Sequence, residues 1–208
     1  MESHLISYYT LRRTLGLLGI FLPILLPLGV YLFGKDLQVI QNSISHYYYT
    51  NMSDIFVGVL WAFGLFLFTY KGYKTSGYRL SDNLLTNTAG VLAIGVAIFP
   101  TGNDAISYNP GWVGVVHLIC AATFFVILGG MSIFIFTQGK SRASNRLYVI
   151  LGIVMWTCLL VLLIYFLTND SWTFWPAWTV YFFEAIMLFA FGFSWLTKGK
   201  GLRFMGLT

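Results

Sequence analysis

Ser43-Ile-Ser-His-Tyr-Tyr-Tyr-Thr-Asn-Met-Ser-Asp54 lies between two long apolar runs. It gathers hydroxyls, one of the chain's three histidines and a carboxylate at the mouth of the second run. Ionisable groups are costly in hydrocarbon, so such a segment belongs at a membrane boundary or inside a bundle. Upstream, Arg12-Arg13 open a run that continues to Phe33; downstream, a run covers about 54–70. Each approaches the roughly 20 apolar residues that a membrane helix requires at about 1.5 Å per residue.

Working outward, the pattern repeats along all 208 residues, of which 58% are hydrophobic and 9% charged. A soluble domain carries roughly 25% charged residues, so lipid is the expected solvent for most of this surface. Residues 1–208 read as a single membrane domain, because almost nothing is left between the runs to build a soluble one. The net charge of +5 sits in short inter-helix loops, and no nucleic-acid partner is implied. Cys120 and Cys158 fall inside apolar runs, where thiols serve as small apolar fillers, and no disulfide is expected.

The fold class is an all-α integral membrane protein, a six-transmembrane-helix bundle with helices at about 12–33, 54–70, 84–100, 112–137, 147–167 and 177–196. Residues 1–11 read as a short amphipathic lead. The first run is longer than a signal-peptide core and has no small-x-small cleavage pattern, so it reads as a retained helix, kinked at Pro23 and Pro27. Cytoplasmic N- and C-termini place eleven of the twelve Lys and Arg residues on the inner side, with Lys35 outside. Trp112, Trp172, Trp175 and Trp178 then form an outer aromatic belt, and Tyr70, Tyr73, Tyr148 and Trp195 an inner one. Gly90, Gly95, Gly114, Gly129, Gly130, Gly152 and Gly192 mark close helix approaches. No internal repeat is visible, which disfavours an inverted-repeat transporter.

The candidate site follows from depth. Asp54 opens the second helix, and Asp104 follows the third. His117 and Glu184 lie one to two turns inside the outer ends of the fourth and sixth. With Ser43, Ser45, His46 and Tyr47 from the first loop, these residues suggest an outward-facing polar pocket roofed by that loop. Simpler roles exist for several of them. Asp54 also reads as a helix N-cap, His117 as a packing histidine bonded to a carbonyl, and the Tyr47–Tyr49 run as interfacial anchoring. Glu184, flanked by Phe182, Phe183, Ala185 and Ile186, is the hardest to dismiss and is expected to have a functional role or to pair with His117.

Several of these segments carry a family likeness. Ser43-Ile-Ser-x-Tyr-Tyr-x-Thr50, Asp54-x-Phe-Val-Gly58, Gly95-Val-Ala-Ile-Phe-Pro-Thr101, Val116-His117 and Phe191-Gly-Phe-Ser-Trp-Leu-Thr-Lys-Gly199 resemble a group of bacterial six-span proteins of unknown function, of the DUF998 kind. The resemblance implies a bacterial inner (cytoplasmic) membrane. The layout is also similar to the Frag1/DRAM/Sfk1 membrane proteins, which implies a link to lipid handling. A partial likeness to the alkaline ceramidase and adiponectin-receptor superfamily rests on Ser43 or Ser45, Asp54 and His117. That superfamily's His-x-x-x-His pair is missing from this chain.

The leading functional expectation is a regulatory or lipid-handling membrane protein whose pocket takes a lipid headgroup or a small polar or cationic ligand. No cofactor is predicted. The first alternative is a metal-dependent intramembrane lipid hydrolase in which His46, His117, Glu184 and Asp54 would hold zinc. The second is a proton-coupled transporter or channel. A Ser-His-Asp hydrolase lacks any nucleophile-elbow pattern. Membrane lipids are the expected partners, and a homo-oligomer is left open. Asn51-Met-Ser53 and Asn169-Asp-Ser171 are glycosylation sequons only in a eukaryotic secretory membrane.

Overall fold

The structure, a computed structural model, describes residues 2–34, 38–70, 82–103, 111–139, 141–168 and 175–201, with side chains described from Tyr8 onward. The described residues are all helical, apart from turns and loops. The helices are α1 (Glu2–Phe33), α2 (Ser53–Thr69), α3 (Asp82–Ile98), α4 (Trp112–Gly130), α5 (Arg142–Thr168) and α6 (Thr179–Lys198). Four of the apolar stretches, Tyr8–Phe33, Trp112–Gln138, Arg142–Thr168 and Thr179–Lys198, are long and apolar enough to cross a membrane. They fit an integral membrane protein. Helices α2 and α3 are apolar but shorter, at 17 residues each.

Three boundaries differ from the sequence reading for local reasons. The expected lead at 1–11 is the opening of α1, which runs unbroken from Glu2 through both prolines. α3 stops at Ile98 rather than 100, because Pro100 disfavours helical geometry at the residue before it. α5 begins at Arg142 rather than 147, because the Ser141 hydroxyl accepts the Ser144 N–H at 3.4 Å and caps the first turn. α4 does not end abruptly: a π turn over Met131–Ile135 and a 3-10 turn over Phe136–Gln138 extend it.

Consecutive helices pack as neighbours, and α6 closes against α1. Three of the helix pairs meet at glycines, two of them reciprocally. A Cβ on Gly16 would stand 2.7 Å from the Gly192 carbonyl, and one on Gly192 would stand 2.6 Å from the Gly16 carbonyl. Gly64 and Gly90 bring α2 onto α3 in the same way, and a Cβ on Gly152 of α5 would stand 2.8 Å from the Gly129 carbonyl of α4. Without a hydrophobic drive between helices in lipid, such close backbone approach supplies much of the packing.

Mid-depth, Phe63, Phe124 and Phe191 pack ring to ring with centroids 5.3–6.5 Å apart. This apolar layer separates two polar ends. One end carries the first loop. The other carries Arg12, Asp82, Lys198 and Lys200.

α1 shows how a proline is accommodated. Pro27 has no N–H, so the Pro23 carbonyl loses its helical partner. The Tyr181 hydroxyl of α6 donates to that carbonyl at 2.6 Å. A neighbouring helix therefore satisfies the freed group, as membrane helices require.

Candidate functional site

The first loop folds down into its end of the bundle. Residues Ser45–Tyr49 form a 3-10 turn whose start is held by Ser43: its hydroxyl accepts the His46 N–H at 3.1 Å. Tyr47 is fully buried, donates to the Val39 carbonyl at 2.8 Å and contacts the Tyr181 ring. It is a core anchor of the loop rather than an interfacial tyrosine, and burial pushes its phenol pKa well above the usual value.

Past the end of α3, around Pro100, the carbonyls of Phe99, Thr101 and Gly102 have no helical N–H partners. Side chains replace those partners. His117 on α4 bonds the Phe99 carbonyl through Nδ1 at 2.6 Å. The Tyr49 hydroxyl donates to Thr101 at 2.5 Å, and His46 Nε2 donates to Gly102 at 2.7 Å. A carbonyl can only accept, so His117 Nδ1 carries its proton and Nε2 is left as an acceptor. Ser45 Oγ stands 2.9 Å from that Nε2 and donates to it.

Glu184 enters from α6. Its Oε2 accepts the Ile44 N–H at 2.6 Å, and the preceding turn bonds the loop again through Tyr181 N–H to the Asn42 carbonyl at 3.0 Å. Its partner is thus the loop backbone and not His117, contrary to the expected pairing. Glu184 Oε1 has no hydrogen bond among the described residues.

The remaining expected residues fall elsewhere. Asp54 is exposed in the first turn of α2, one residue past the helix start at Ser53, so it is not the N-cap; its charge faces the positive end of the helix dipole. Asp104 lies outside the described residues. Trp112 and Trp178 are exposed and Trp175 is half-buried; Trp172 and Tyr73 lie outside the described residues. Tyr70, Tyr148 and Trp195 are buried, so they form part of the core and not an inner belt.

No family model matches the chain, and no curated protein or solved structure matches it either. What the site does must therefore be read from its own geometry.

Two spaces adjoin Glu184. Beneath the loop, a cavity of about 40 Å³ is bounded by Ser45, Glu184 and apolar side chains including Phe63 and Phe124. It holds about one or two waters at most. A larger groove of about 250 Å³ runs between α4, α5 and α6. Leu118, Ile119, Leu163 and Phe166 at its mouth are 45–58% exposed, so it opens sideways, toward the surroundings of the bundle. Every lining residue is apolar except Glu184, and Ala121, Phe125 and Glu184 line both spaces.

The Ser45–His117 contact has the geometry of a nucleophile beside a base. The base is oriented by a carbonyl, not a carboxylate. The N–H groups on either side of Ser45, those of Ile44 and His46, are already committed to Glu184 and Ser43, so neither faces a developing oxyanion. The pair reads as a pin that holds the loop in the bundle. Among the described residues, no three His, Cys, Asp or Glu side chains are grouped to hold a metal. The set His46, His117, Glu184 and Asp54 is not brought together.

The groove was missed by sequence reasoning. Its walls come from three helices, and no local pattern distinguishes them from ordinary lipid-facing leucines and phenylalanines. Its one signal is Glu184 itself.

Proposed function

We propose that this chain crosses a membrane six times, with both termini on the cytoplasmic side of a bacterial inner membrane. It binds a lipid or other single amphiphile and has a regulatory or lipid-handling role. The six-span count is supported by the two shorter helices: 17 residues rise about 25 Å, at the lower limit for a hydrocarbon core of about 30 Å. The orientation is supported by the eleven basic residues that fall on one side under that count.

One observation carries the binding reading: the lateral apolar groove ends at a carboxyl group with one oxygen uncommitted. A pocket that is mostly apolar, with a few placed polar groups, is the usual composition of a small-ligand site. The acyl chain would lie along Leu118, Phe125, Leu159 and Met187, and a hydroxyl or amine of the head would donate to Glu184 Oε1. Access is from the bilayer and needs no opening of the first loop. A transport pathway has less support, because Phe63, Phe124 and Phe191 fill the middle of the bundle.

The test is native mass spectrometry of the gently solubilised protein. A one-to-one amphiphile mass is expected on the wild type. Ala122→Phe, which fills the groove, removes it; Glu184→Gln, which keeps an acceptor for Ile44 but changes the headgroup contact, weakens it. An adduct retained undiminished in Ala122→Phe would rule out the groove as its site.

A further inference from the structure

The end of the bundle opposite the first loop holds a second, larger cavity of about 450 Å³. It lies among the start of α1, the turn after α4, the start of α5 and the end of α6. Its described lining includes three cationic side chains, Arg12, Lys198 and Lys200, against one carboxylate, Asp82. Ser141, Ser144 and Asn145 at the start of α5 add neutral hydrogen-bonding groups. The N-terminal end of that helix adds its own positive partial charge to the same side.

These cations are held in place by the fold. Arg12 is 1% exposed. Its guanidinium donates to the Tyr70 hydroxyl at 3.1 Å and to the Lys198 carbonyl at 3.4 Å, and it stacks on Tyr8 at 4.3 Å. Next to it, Arg13 Nε donates to the Gly199 carbonyl at 2.9 Å, which ties α1 to the end of α6. Lys198 Nζ reaches the Phe136 carbonyl at 3.3 Å and lies within electrostatic reach of both Arg12 and Asp82. After α6, Lys200 adopts a left-handed backbone with φ of 54°, unusual for a residue with a side chain. That turn carries its ammonium back over the Tyr9 ring at 4.7 Å, on the same cavity.

Like charges gathered in a partly desolvated space repel one another, and an anion relieves that cost. A planar guanidinium, flexible ammonium groups and hydroxyl donors are the set that recognises phosphate oxygens. We infer that this cavity binds a phosphate group, carried by a phospholipid head or by a soluble phosphate. The inference does not depend on the groove at Glu184, which lies beyond the aromatic layer on the other side of the bundle.

The test uses the full chain in neutral detergent at fixed ionic strength. Thermal unfolding is followed while short-chain phosphatidylglycerol, short-chain phosphatidylcholine or inorganic phosphate is added. A ligand that binds only the folded state raises Tm with concentration. A rise with phosphatidylglycerol alone assigns a lipid head; a rise with inorganic phosphate as well assigns the phosphate group itself. Lys198→Gln and Lys200→Gln each weaken the response about tenfold or more, as loss of a charge-assisted contact does. Arg146→Gln removes the same charge from an exposed position outside the cavity and leaves the response unchanged. Lys200 is exposed, so its variant folds even if the Lys198 variant does not. No stabilisation by either phosphate compound, or an equal loss in Arg146→Gln, would overturn the assignment.

Discussion

At the first-loop end of the bundle, polar side chains are committed to neighbouring backbone. His117, Tyr49 and His46 bond the carbonyls of Phe99, Thr101 and Gly102 around Pro100, one Glu184 oxygen takes the Ile44 N–H, and the space directly beneath the loop is about 40 Å³, beside the lateral groove at Glu184. At the basic end, Arg12, Lys198 and Lys200 are positioned by rings and carbonyls, yet they still border about 450 Å³ of open space. Polar groups thus tie the loop down over a small space at one end and border a large charged cavity at the other. The difference is in the acceptors available. A broken helix supplies carbonyls within reach of the loop side chains. The basic end carries more positive charge than its described carboxylate neutralises.

The comparison is most strongly challenged at Arg12. Arg12→Ala removes the stack on Tyr8 and the bonds to the Tyr70 hydroxyl and the Lys198 carbonyl. The expected cost is about 1.5–3 kcal/mol, as for loss of hydrogen bonds from a charged group, read as a lower Tm or denaturant midpoint. A variant as stable as wild type would mean that the basic end is not organised around this guanidinium.

A smaller effect is expected from His117→Ala. It leaves the Phe99 carbonyl and the Ser45 hydroxyl without their partner, at about 1–3 kcal/mol. Limited proteolysis should then cut the segment 38–52 faster, while the phosphate response at the other end is unchanged. A change in that response would show that the aromatic layer does not isolate the two ends.

The helical architecture was legible because each apolar run carries its own signal, whatever it packs against. The polar network at the loop end was legible only in part. Ser45, His46, His117 and Glu184 stand out as polar groups near apolar runs, but Ser45 and His117 meet across 72 residues, and the partner of Glu184 is a backbone N–H 140 residues away. No local pattern encodes either contact. The basic end was hidden for a different reason. Arg12, Arg13, Lys198 and Lys200 look like the flanking charges that orient membrane helices, and that reading leaves no residual signal. Only the fold shows that the Tyr8 and Tyr70 rings hold Arg12, with Trp195 packed against Tyr70. The early start of α1 was lost with it, since Glu2-Ser-His-Leu reads as a short amphipathic lead until Tyr8 is seen to pack against the core and Tyr9 to meet Lys200.

The contrast between a closed and an open end is tested most directly by single-cysteine accessibility in a background with Cys120 and Cys158 replaced by Ala. Membrane-impermeant maleimide is applied to intact cells and to inside-out vesicles carrying Ser45→Cys, Ser144→Cys or the exposed control Asp54→Cys. The account predicts that Asp54→Cys labels in cells, Ser144→Cys labels only in inside-out vesicles, and Ser45→Cys is protected in both. Labelling of Ser45→Cys in intact cells as fast as Asp54→Cys would contradict it.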